Sequence, residues 1–134
     1  MLTRATGFES RKWGKFEWRY GRSGERRVVA DGNGIAEINN LLVLEKVVSV
    51  GQRDEERVRV AQLIRSEETR TPGTKSRDAG NGGRLEICSR DEEGSELVDE
   101  VTVVVTCLVM LKKEIDRLRG RQIGVIASAG GGGA

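Results

Sequence analysis

"LVDEVTVVVTCLVMLKKEIDRLR", residues 97–119, decides the fold, because it holds the longest apolar run in the chain. Eleven residues, Val101 to Leu111, pass without a charge between an acidic entry and a mixed-charge exit. That is too short for a bilayer, whose core needs about 20 apolar residues in a helix. As a strand the run has strong local propensity, since Val101 through Thr106 are all β-branched. As a helix it has better punctuation. Ser95 stands where an N-cap belongs, and Glu96, Asp99 and Glu100 follow where the helix dipole favours acids. Lys112, Lys113, Arg117 and Arg119 gather at the far end, Gly120 is a natural stop, and Leu108, Leu111, Ile115 and Leu118 keep spacings of three and four. On the residues alone strand and helix both stand, with the punctuation favouring the helix. A helix apolar all round is buried all round. On that reading Val101, Val104, Val105, Leu108, Leu111 and Ile115 belong to the most buried residues, with Trp18 and Leu44 packed against them.

Working outward, the preceding chain reads as strands. "KFEWRY" alternates, with Phe16, Trp18 and Tyr20 on one face and Lys15, Glu17 and Arg19 on the other. "ERRVVADGNG" offers only a short apolar stretch, Val28 to Ala30, and a turn at Asp31 to Gly34. Leu41 to Val48 is apolar on both faces apart from Glu45 and Lys46, the pattern of a strand covered on two sides. "ERVRVAQLIR" alternates again, setting Val58, Val60 and Ile64 against a basic stripe of Arg57, Arg59 and Arg65. Residues 70–83, with Pro72 and an Asn-Gly pair, read as a loop, and "RLEICSR" returns to strand. Residues 1–10 show no period and are expected to be poorly ordered, as is an Ala/Gly tail at 122–134. The expectation is one α+β, β-rich domain over 11–121, an antiparallel sheet packed around one apolar C-terminal helix.

Composition narrows the chemistry. The chain has 134 residues, 23 basic and 21 acidic side chains, and no histidine. Without histidine there is no Ser–His or Cys–His nucleophile and no ordinary zinc site. Cys88 and Cys107 each sit in an apolar segment, as buried reduced thiols of an intracellular, cytoplasmic protein do. Charge is unevenly placed: Met1 to Arg27 holds eight bases against three acids, and Asp91 to Glu100 holds six acids and no base. These two stretches are expected to attract each other as solvated faces.

The order "KFEWRY", "VRVAQLIR", "GGRLEI" and then "DEVTVVVTCLVMLKKEIDR" resembles the C-terminal part of the fungal tubby C-terminal-like proteins, over about Arg11 to Arg119. The resemblance implies a tubby-like fold, shared with phospholipid scramblases and plant LURP-one-related proteins, in which a closed antiparallel barrel surrounds one apolar helix. That helix would run from Glu96 to Arg119. The chain offers fewer strands than a whole barrel, so a partial barrel with bare edges is implied. The basic positions through which tubby proteins bind phosphoinositides find no residue-by-residue match here.

The expected function is therefore a non-enzymatic structural or protein-interaction module, meeting a protein partner or a second copy through exposed sheet edges. The alternative is peripheral binding of anionic phospholipid headgroups at a membrane surface, through Arg11, Lys12, Lys15, Arg19, Arg57, Arg59 and Arg65. No cofactor or metal is expected. Catalysis has little to build on, because the carboxylates of Asp91 to Glu100 serve as helix-start acids. The glycines of "AGNGGR" lack the Lys-Ser/Thr of a phosphate loop. Nucleic-acid binding lacks a strong basic excess, and a stacking platform beyond Trp13, Phe16, Trp18 and Tyr20, half of which belong to the core.

Overall fold

The computed structural model describes residues 5–70, 72–73 and 83–130. Five strands form one open antiparallel sheet in sequence order: β1 (Thr6–Ser10), β2 (Gly14–Tyr20), β3 (Asn40–Val50), β4 (Asp54–Arg65) and β5 (Arg84–Ile87). Two helices, α1 (Ser23–Asn33) and α2 (Glu100–Gly130), pack on its two faces. The fold is α+β and rich in strand, as expected, and the sheet is not closed.

β3 is the centre because its residues are apolar on both sides. Leu42 and Leu44 face α2, in a cluster with Phe16, Trp18, Val60, Ala61 and Leu63. Leu41 and Val43 face α1, with Val29, Ala30, Ile35, Ile38 and Ile64. Residues 1–10 were expected to lack order, yet β1 pairs in register with β2. Its one large apolar side chain explains the pairing: Phe8 lies opposite Phe16, and the rings stack with centroids 5.3 Å apart.

α1 replaces the turn expected after Val28–Ala30. Glu25, the third helical residue, accepts the Arg22 backbone N–H at 3.2 Å. At the other end Gly34 adopts φ 67°, and Ile35 N–H donates to the Ala30 carbonyl at 2.9 Å. This is a Schellman closure, with Ile35 and Ala30 both buried in the α1-side cluster.

β4 carries a bulge. Leu44 pairs with Ala61 and Glu45 with Arg59, which leaves Val60 as the extra residue. Strict alternation put Arg57, Arg59 and Arg65 on one face. The bulge reverses the phase, so Ile64 joins Arg57 and Arg59 on the α1 side while Arg65 turns to the α2 side.

α2 requires three corrections. It starts at Glu100, not at 96: Asp99 is the N-cap, accepting Thr102 N–H at 3.1 Å, and Ser95 lies in the preceding turn. The acids from Asp91 belong to that turn, where the Asp91 carboxylate accepts the Glu93 and Ser95 N–H groups at 3.0 and 2.8 Å. The helix continues past Gly120 to Gly130, because a glycine inside a helix costs only about 1 kcal/mol and does not by itself end it. The tail expected at 122–134 is thus helical as far as Gly130. Of the loop expected at 70–83, residues 71 and 74–82 lie outside the described residues, as do 1–4 and 131–134.

The third correction concerns burial. Val103, Cys107 and Met110 face the sheet and are buried, whereas Val101, Val104, Val105 and Leu108 are exposed. Leu111 and Ile115 are half-buried. Among the described residues only one face of the helix is covered, since a single open sheet supplies one layer.

Candidate interaction surfaces

The α1 side of the sheet carries a row of paired charges. The Arg19 guanidinium forks onto Glu25, with both bonds at 2.9 Å, and its Nε reaches Glu45 at 2.8 Å. Arg57 lies 3.2 Å from Glu17 and 3.6 Å from Glu45. Arg59 closes the row on Glu25. Glu17 and Glu45 stand directly opposite on β2 and β3, an arrangement that repels by itself. Arg57, bridging both, removes that cost.

The network shifts its members as such pairing should. The fork from Arg19 is the main cause that holds the Glu25 carboxyl down to about 2, against the opposing effect of burial. Arg19 itself is raised, first by Glu25 and then by Glu45, and Arg57 is raised chiefly by its bond to Glu17. Three guanidiniums and three carboxylates alternate in sign across β2, β3, β4 and α1. The acids that balance these arginines are Glu17, Glu25 and Glu45, and not those of the Asp91–Glu100 stretch.

The seven residues expected to bind an anionic headgroup are therefore divided. Arg19, Arg57 and Arg59 share one face with Lys15 and are held by carboxylates. Arg11 and Lys12 lie in the exposed β1–β2 turn, where the Lys12 ammonium sits 5.0 Å from the Trp13 ring centroid. Arg65 is on the opposite face, 9% exposed, donating to Glu114 of α2 at 2.9 Å. Tyr20 donates its hydroxyl to the same Glu114 at 2.5 Å. Burial first, and that bond second, raise the tyrosine's pKa.

The sheet fixes α2 through polar contacts as well. The Trp18 indole N–H donates to Thr106 Oγ1 at 2.9 Å, and Thr106 donates in turn to the Thr102 carbonyl at 2.7 Å. The Lys46 ammonium donates to the Leu97 carbonyl at 2.9 Å, just before the helix. Cys107 is buried against the sheet, and burial raises its thiol pKa. Cys88, expected to be buried too, is exposed after β5, a four-residue strand that ends just before it. It borders an open hollow of about 230 Å³ with Arg59, Ala61, Gln62, Glu86 and Ile87. That is smaller than the roughly 300–1,000 Å³ of ordinary ligand pockets.

The second surface is the outer side of α2. Val101 is 67% exposed, Val105 52% and Leu108 59%, with Val104 and Val109 beside them. These five side chains share the side opposite Val103, Cys107 and Met110, as a rotation of about 100° per residue requires. Below them Lys112, Lys113 and Asp116 return the surface to charge. Sequence reasoning named Val101, Val104, Val105 and Leu108 but placed them inside, and it did not single out Val109. Among the described residues, no helix is long and apolar enough to cross a membrane. No family model, curated protein or solved structure matches this chain.

Proposed function

We propose that this domain is a non-enzymatic protein-interaction module, tubby-like in partial form, that docks a protein surface through the outer face of α2. One observation carries the reading. Four valines and one leucine stand exposed together on a helix whose other side is core. Contiguous apolar patches on a free surface rarely exceed a few hundred Å², and the largest one is often an interaction site. Of the sheet edges, the surfaces first expected to do this, the one at β5 is less inviting. β5 has only four residues, and the adjacent stretch of β4, Asp54 to Arg57, is charged throughout.

The headgroup alternative has less support. An anion arriving at Arg19, Arg57 or Arg59 would have to displace Glu17, Glu25 or Glu45, and Arg65 is buried on the other face. An enzymatic reading is weaker still, because the fork from Arg19 holds the Glu25 carboxyl ionised, and Glu17 and Glu45 are each engaged by Arg57. A carboxyl held ionised is a poor proton donor.

The test compares the wild-type chain with Leu108→Glu by size exclusion of native cell extract. Wild type should elute well above monomer mass and the variant at monomer mass, with unchanged circular dichroism for the purified variant. Elution of both at monomer mass would defeat the reading.

A further inference from the structure

Buried polar groups in folded proteins are almost always paired, so an orphan asks for an explanation. Among the described residues the orphaned buried side-chain atoms are Arg65 Nε, Arg65 Nη2 and Asn40 Oδ1. All three belong to one place. Asn40 opens β3 and Arg65 closes β4, and the two stand directly opposite each other. That sets their Cβ atoms about 5 Å apart, on the face that α2 covers. We infer that this cross-strand pair holds one buried water, which accepts from the Arg65 guanidinium and donates to the Asn40 amide oxygen.

The guanidinium is fixed from its other side. Glu114 accepts from its Nη1 at 2.9 Å, and the Tyr20 hydroxyl holds the same carboxylate. Nε–H and one Nη2–H remain as a parallel pair along one edge of the plane. Arg19 shows what completes such a group in this chain, since its Nε, Nη1 and Nη2 all end on Glu25 and Glu45. Arg65 reaches one carboxylate instead of two. Asn40 presents an acceptor across the strands, yet the two side chains do not bond each other.

Chemistry selects the occupant. It must accept from two N–H groups and give one proton, as a buried water with about three partners does. A carboxylate would suit the fork but has no proton for Asn40, and Glu114 already balances the guanidinium charge. A larger neutral ligand would need the three atoms open to solvent, and all three are buried. The water carries the chain of bonds from Tyr20 through Glu114 and Arg65 on to Asn40, tying β2, α2, β4 and β3 together. This holds whatever docks on the outer face of α2.

Water–protein NOE spectroscopy of the isotope-labelled full chain tests the inference. The Arg65 Nε–H should be protected from exchange and show a cross-peak at the water frequency, with the sign of a long-lived contact. Tyr20→Phe should keep that peak, which excludes relay through the hydroxyl proton. Asn40→Leu, with its fold checked by circular dichroism, should lose it, and relaxation dispersion of the water oxygen should then count one long-lived water fewer than in wild type. A wild-type chain without the cross-peak overturns the inference. So does a peak that vanishes in Tyr20→Phe, and so does a peak or a water count left unchanged by Asn40→Leu. If added acetate shifts the Arg65 Nε–H resonance and erases the water peak, the fork belongs to a carboxylate and the inference likewise fails. The wild-type and Tyr20→Phe spectra decide by themselves if Asn40→Leu does not fold.

Discussion

Val103 and Val105 lie two residues apart on α2, and truncating each to alanine should give very different results. Val103 is 0% exposed, in a cluster with Trp18, Val60 and Met110. Removing its two methyl groups forfeits about 0.8 kcal/mol each in transfer free energy, and the void left behind adds about 1 kcal/mol. Alanine's better helix propensity returns about 0.5 kcal/mol, for a net loss near 2 kcal/mol. In a domain of this size that lowers the melting temperature by roughly 6–10 °C. Val105 is 52% exposed, so its truncation forfeits about half the transfer energy and leaves almost no void. The same propensity gain then brings the net change to within about 0.5 kcal/mol of zero. Thermal unfolding followed by circular dichroism measures both, at a dilution where the melting temperature no longer depends on concentration. Equal losses at the two sites, or a larger loss at Val105, would refute the one-sided burial of α2.

Two further perturbations probe the polar contacts. Thr106→Val keeps the shape of the side chain but leaves the Trp18 indole N–H without its acceptor, which should cost about 1–3 kcal/mol; a melt equal to wild type would show that the bond contributes nothing. Glu25 titrates near 2 in the fold against an ordinary 4.5, so its contribution is complete above pH 4.5 and lost as the pH falls toward 2. Because the carboxylate is partly solvated, about 1–2 kcal/mol is expected from the Arg19 fork rather than the full value of the shift. Glu25→Gln should flatten that acid limb in melts recorded from pH 6 to 2, and parallel limbs in the two proteins would count against the network.

What the sequence disclosed, and what it withheld, follows from the reach of each signal. β2, β3 and β4 were legible because alternation is a local signal, and β3's apolarity on both faces announced two covering layers. α1 was hidden because its only consecutive apolar residues, Val28 to Ala30, are too few to display a period of 3.6. Its closure depends on Gly34 and on Ile35, whose burial is set by the sheet. β1 was hidden for a related reason, since an edge strand with one large apolar residue gains its stability from the ring stacked across it. The Val60 bulge left no mark in the alternation, and it alone moved Arg65 from an exposed basic stripe to a buried pair with Glu114. The outer face of α2 was misplaced most instructively. Hydrophobicity records that Val105 avoids water and says nothing about which molecule supplies the cover.

That distinction also separates the two surfaces as functional candidates. The arginines looked available in the sequence because alternation tells which face a residue takes and not which partners meet it there: Glu17, Glu25 and Glu45 come from a strand, a helix and another strand. Folding assembles the six into a row of alternating sign, and a ligand for one arginine must first compete with a carboxylate already in place. The exposed valines and leucines of α2 present the opposite balance. Among the described residues nothing covers them, and covering apolar surface favours association at roughly 25 cal/mol for each Å², before the cost of immobilising the partners. On the charged face binding must undo what folding has built; on the helix it continues the burial that folding left half done.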